Sequence, residues 1–126
     1  MLTPARLTAF LATADAPRAR AFYERVIGLR LLSDDEFALA FDANGVNLRI
    51  QKVQAVNPHP FTALGWQVTD IASVVGGLSR AGIRFERYAF MEQDAAGIWT
   101  APGGTKVAWF KDPDGNLLSV AEHGTA

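Results

Sequence analysis

The 126-residue chain contains no cysteine. That absence removes disulfides, thiolate metal sites, iron–sulfur clusters and thiol nucleophiles together, and it suits a reducing compartment. Histidine is scarce too, with only His59 and His123. No run approaches the roughly 20 apolar residues of a membrane-spanning helix. The opening stretch MLTPARLTAFLATADAPRA has no long apolar core and no signal-peptide layout. Charge of one sign is also missing: 12 Lys and Arg face 13 Asp and Glu, for a formal net charge of −1. No basic stripe forms, so a nucleic-acid partner is not expected, nor is a membrane. These absences together predict a soluble cytoplasmic protein.

What is present fits one globular domain over residues 1–126. Hydrophobic residues make up 49% and charged residues 20%. A chain of this length can bury roughly two-thirds of its unfolded surface without staples.

The strongest organising signal is an internal duplication. LTAFLATADAPRARAFYERVIGLRLL and LGWQVTDIASVVGGLSRAGIRFER follow one plan. Each has a short apolar stretch, an aspartate, a helical pattern, a glycine and a second apolar stretch. Asp15 and Asp70 stand where a helix N-cap belongs, because a carboxylate there can accept the orphan N–H groups of the first turn. Helical periodicity after them predicts helices over 16–27 and 71–81, with Gly28 and Gly82 as left-handed stops. EFALAFD and NLRIQKV flank Asn44-Gly45, a hairpin signal. KVAWFKD and NLLSVAE flank Asp112-Pro113-Asp114-Gly115, which suits a type I turn. Each half therefore reads β-α-β-β-β, giving an α+β fold of two modules, about 5–54 and 62–123. Residues 55–61, with two prolines, form the linker. Residues 91–104 are an insertion in the second copy.

This plan, with AFYERVIGL on the first helix and WFKDPDGNLL on the final hairpin, resembles the vicinal oxygen chelate superfamily. That group holds glyoxalase I, extradiol dioxygenases and bleomycin-resistance proteins; GIWTAPGGTKVAWFKDPDGN resembles its small bacterial members. The resemblance covers essentially the whole chain. It implies a single glyoxalase-like domain, with the two modules forming a curved mixed sheet around a groove, and a homodimer. Metal-dependent members place ligands on the first and last strands of each module. Counting from the capping aspartates and hairpin glycines puts those places at Thr8, Arg49, Ala63 and Ser119. A divalent ion needs imidazole or carboxylate here, and a methyl, two hydroxyls and a guanidinium supply neither. Neither a metal nor any other cofactor is expected.

Strand alternation then sorts the remaining residues. With Thr8, Arg49 and Ser119 facing inward, Phe10, Gln51 and Gln67 face the same way. Leu48, Ile50, Leu64, Trp66, Val68, Leu118 and Val120 face the helices. Arg49 offers a forked donor to a carboxylate, phosphate or carbonyl; the alternative is an internal ion pair or a place at a dimer surface. Trp99, with Tyr88 nearby, can stack on a flat ligand or close the sheet. Trp109 is assigned to the core. Glu122 has the opposite parity to Ser119, His123 belongs to a solvated tail, and His59 to a surface loop. Ser119 and His123 are too far apart along one strand to act as nucleophile and base. DPDGN is not a calcium loop, and PGGTK is not a phosphate-binding loop.

Three functions stay open. One is a metal-independent protein that binds a small, aromatic or acidic molecule through Arg49, Thr8, Phe10, Gln51, Gln67, Ser119 and Trp99. Another is a lyase-, isomerase- or oxygenase-type enzyme of the same superfamily, using Arg49 or a glutamate such as Glu86 or Glu92. The third is a ligand-free dimeric interaction module.

Overall fold

A computed structural model describes residues 1–124. The chain divides into two compact units, Met1–Pro58 and His59 onward. The boundary falls inside the proline-bearing segment expected as a linker.

The first unit runs β1 (Thr8–Thr13), α1 (Ala16–Ala21), a π-helical turn (Phe22–Val26), β2 (Arg30–Asp34), β3 (Ala38–Ala43) and β4 (Val46–Lys52). Its mixed sheet has the order β1-β4-β3-β2, with β1 parallel to β4 and the other pairs antiparallel. Asp15 caps the helix by accepting from the Arg18 N–H at 3.3 Å, and Pro17 costs nothing in the first turn. The expected single helix is interrupted in hydrogen bonding but not in path. The Ile27 N–H reaches back five residues to the Phe22 carbonyl at 3.0 Å. Gly28 then leaves the helix at φ +86°.

One face of this sheet is the core. Leu11, Thr13, Leu39, Phe41, Leu48 and Ile50 are buried on it. Tyr23 is fully buried and its ring centre lies 5.9 Å from that of Phe41. Burial of each such large side chain contributes about 1.5–3 kcal/mol. Asp34 joins three elements, taking Arg20 at 3.0 Å and Lys52 at 2.6 Å. The Asn44-Gly45 turn has positive φ at both residues, 51° and 90°, as a two-residue hairpin of the predicted kind requires.

The second unit runs β5 (Leu64–Gln67), α2 (Ile71–Arg80), β6 (Trp99–Thr100), β7 (Lys106–Lys111) and β8 (Leu117–Glu122). Its mixed sheet has the order β5-β8-β7-β6. The element order is that of the first unit, so the duplicated α+β plan holds. Asp70 caps α2 through the Ser73 N–H at 3.2 Å, and Glu122 adds a second acceptor for the Ile71 N–H at 3.1 Å. The buried Ile71 and Val75 stand on the face of α2 that packs on β7 and β8. Phe110, Leu118 and Val120 are buried, and Phe85 meets Phe110 edge-on at 5.6 Å.

The units differ after the helix. Where the first has the five-residue β2, the second has one bridge, Phe85 to Phe110, and then the insertion. The hairpin β7–β8 turns on the buried Asp112. Its Oδ1 accepts from the Asp114 and Asn116 N–H groups at 2.9 Å, and its Oδ2 from the Asn116 amide at 2.9 Å. That network spends the Asp112 carboxylate on the turn, in keeping with the hairpin reading.

Candidate functional site

Each sheet has one face covered by its helix and one face that is not. The register says which side chains share the second face.

In the first unit β1 and β4 set Thr8 beside Asn47, Phe10 beside Arg49 and Ala12 beside Gln51. From the other side β3 sets Ala40 opposite Arg49, Ala38 opposite Gln51 and Asp42 opposite Asn47. The expected set Thr8, Phe10, Arg49 and Gln51 therefore does fall on one face. Arg49 is half buried, and the small side chains of Ala38 and Ala40 leave room for its stem. Among the described residues it makes no ion pair. Its charge acts instead on Asp35, whose carboxyl is held below the ordinary range first by the Phe37 and Ala38 N–H groups and then by Arg49 and Lys52. Phe10 is 54% exposed, a large apolar surface left open beside a cation. At the end of the face a cleft of about 380 Å³ is lined by Arg6, Thr8, Arg30, Asp42 and Asn47 among others. Arg30 pairs there with Asp42 at 3.4 Å.

In the second unit Gly65, Ser119 and Trp109 lie abreast on β5, β8 and β7, and Gln67, Ala121, Val107 and Trp99 form the next row. The expected residues Gln67, Ser119 and Trp99 thus share a face. Ser119 is buried at 9% exposure, and only a glycine fits beside it. A Cβ on Gly65 would stand 2.7 Å from the Ser119 Oγ.

Trp109 is the residue that the sequence reading misplaced. It is half buried on this open face, not in the core, and its indole N–H donates to the Thr62 Oγ1 at 3.1 Å. Its apolar neighbours in sequence suggested a core strand. Its face is revealed by its cross-hairpin pairing with Ser119. Trp109 joins a continuous aromatic run. Trp99 lies 6.1 Å from it at a 35° tilt, Tyr88 lies 5.7 Å from it edge-on, and Phe90 lies 5.6 Å from Tyr88. Burial raises the Tyr88 hydroxyl pKa, with Glu86 adding to the shift and Lys111 opposing it. Glu86 itself pairs with Lys111 at 3.4 Å.

The other polar residues fall where alternation puts them. Glu122 turns to the helix side and caps α2. His123 is exposed after β8. His59 is exposed and stacked on Phe61, ring centres 5.1 Å apart.

A metal does not fit the inherited ligand places. Ala63 has only a methyl, and its N–H is spent on the Leu117 carbonyl. Arg49 is a fixed cation, and Thr8 and Ser119 are neutral hydroxyls. Among the described residues no three His, Asp or Glu side chains gather as a metal-holding group.

The model of the Glyoxalase/Bleomycin resistance protein/Dioxygenase superfamily matches residues 5–120, and the chain belongs to that superfamily. Solved structures share the fold at low identity. A bleomycin resistance determinant encoded on transposon Tn5 is 21% identical with a TM-score of 0.73, covering 95% of this chain and 98% of its own. Lactoylglutathione lyase from Agrobacterium tumefaciens is 18% identical with a TM-score of 0.72, covering 94% and 92%. An antibiotic binding protein from Streptomyces is 17% identical with a TM-score of 0.71, covering 98% and 99%. No curated protein matches the sequence closely enough for comparison. Binding proteins and an enzyme are equally similar, so the fold does not choose between them.

Proposed function

We propose that this chain is a metal-independent, small-molecule-binding member of its superfamily, holding a flat organic ligand against the open face of the second module's sheet. The observation that carries this is the pair Trp99 and Trp109, half buried and 6.1 Å apart on a face that the module's helix leaves uncovered. Two indoles side by side over a buried hydroxyl offer a stacking wall with a polar anchor. Ser119 and Gln67 belong to that wall. On the first module's face Arg49 supplies a forked cation, flanked by Phe10, Thr8 and Gln51, and suits a carboxylate or another oxyanion.

Binding is favoured over catalysis by what the acid–base candidates are doing. Of the two glutamates expected as acid–base groups, Glu86 is paired with Lys111, and Glu92 borders the insertion cleft instead of lying on either sheet face. The chain acts in the cytoplasm as a homodimer. Support for the dimer comes from Leu32 and Phe37, exposed by 49% and 70% in the single chain.

The test is a titration of the purified protein with naphthoate, a flat aromatic acid, read by tryptophan fluorescence and by thermal shift. A ligand selective for the folded state raises the melting temperature. Saturable binding at the second module's face that Trp109→Ala weakens supports the reading. Binding that survives that substitution removes it.

A further inference from the structure

The insertion carries a cleft of its own, of about 650 Å³, lined by residues between Phe90 and Pro102. It is a built feature. The Gln93 side chain stitches it together, accepting from the Tyr88 N–H at 2.8 Å and donating to the Glu86 and Gly97 carbonyls at 2.8 and 2.9 Å. Arg87 clamps the far side, donating to the Asp94 and Ala95 carbonyls at 2.6 Å each.

The lining has an uneven chemistry. Phe90 and Trp99 are the two ends of the aromatic run, and both border the cleft. Phe90 is 80% exposed. Met91 and Ile98 add apolar surface. No Lys, Arg or His lines it, whereas Glu92 and Asp94 do. Asp94 is occupied, its Oδ1 accepting from the Ala96 and Ile98 N–H groups at 2.9 Å each, and its backbone carbonyl takes Arg87. Glu92 is exposed and, among the described residues, makes no hydrogen bond or ion pair.

We propose that this cleft is a binding site for a small organic cation, an alkyl- or arylammonium, with its charge at Glu92 and its hydrocarbon against Phe90 and Trp99. Aromatic faces attract a weakly hydrated cation through their quadrupole, and a free carboxylate supplies the counter-charge. An anion would meet Glu92 with no basic group to offset it. A neutral ligand would gain the stacking and leave the carboxylate unused. The site goes beyond the sheet-face reading and shares only Trp99 with it.

The experiment compares benzyltrimethylammonium with neopentylbenzene, its uncharged carbon isostere, followed by the Trp99 indole N–H resonance. The cation is expected to bind about three- to tenfold more tightly than the isostere, a ratio that added salt reduces. Glu92→Gln is expected to erase that difference while leaving the isostere's affinity unchanged. Phe90→Ala is expected to weaken both probes. Both positions are exposed, so the variants should melt with the parent. Equal affinity for the two probes, or a cation affinity unmoved by Glu92→Gln, overturns the proposal. So does a response that leaves the Trp99 resonance in place. Naphthoate binding in the same variants reports on the sheet face separately.

Discussion

Arg49 sits between Phe10 and Ala40 in the sheet register, its guanidinium unpaired among the described residues. Half out of water, it acts on Asp35 through its charge alone, which leaves its donors for a ligand. Arg49→Ala is expected to lower naphthoate affinity at the first module's own face about tenfold, the size of a charge-assisted hydrogen bond in a half-exposed place. The melting temperature should barely change, since no internal pair is lost. Gly65 tests the second module's face. Gly65→Ala would press a methyl against the Ser119 Oγ, and is expected to destabilise the fold by about 1–3 kcal/mol in denaturant unfolding. Tyr88 gives a pH signature. Its folded pKa lies above the ordinary 10.0, so the folded state keeps a proton that the unfolded state releases. Stability from that group is complete below pH 10 and is lost as pH rises through the folded value. Phenolate absorbance should show Tyr88 ionising later than the other tyrosine would in an unfolded chain.

At this scale the shared face of the candidate residues was legible. Alternation alone put Thr8, Phe10, Arg49 and Gln51 on one face, because a regular strand has no other way to orient them. Trp109 was not legible by composition, since an indole among apolar neighbours reads as core. Only its pairing with Ser119 across the hairpin reveals the face, and pairing is a tertiary fact.

The elements most visible in the sequence were those with local causes. Asp15 and Asp70 began their helices as expected, and Asn44-Gly45 and DPDG turned their hairpins. Asp70→Ala is expected to cost about 1 kcal/mol, as N-cap losses do. The Glu122 carboxylate shares the capping, so combining Asp70→Ala with Glu122→Gln should cost more than either alone in urea unfolding. The π turn at Phe22–Val26 was invisible, because shifting one hydrogen bond leaves the apolar spacing nearly unchanged. The insertion was placed by a mismatch in spacing between the copies, but its structure was not foreseen. It rests on one glutamine amide and one guanidinium reaching backbone carbonyls, and neither leaves a periodic trace. Acid should act on the first module through Asp34 and Asp35. Both carboxyls lie below the ordinary 3.8, Asp34 through Lys52 first and Asp35 through its backbone N–H partners first. Their contribution is complete above that pH and is lost as pH falls through the folded values. Both are exposed, so the acid transition should sharpen only modestly at low salt.

For the molecule as a whole, the duplicated plan and the superfamily it belongs to fix the architecture and leave the chemistry to a few side chains. No described helix is long and apolar enough to cross a membrane. The inherited ligand places carry a methyl, two hydroxyls and a guanidinium where a metal centre would need imidazoles and acids. Sedimentation at micromolar concentration should show a dimer, and a monomer would leave the exposed Leu32 and Phe37 unexplained. The most direct measurement is naphthoate binding by protein stripped with a chelator, before and after zinc is restored. The account predicts one unchanged dissociation constant in both states, weakened by Trp109→Ala in protein whose melting curve is intact. Binding that appears only when zinc is supplied, with metal retained at one ion per chain, would contradict it.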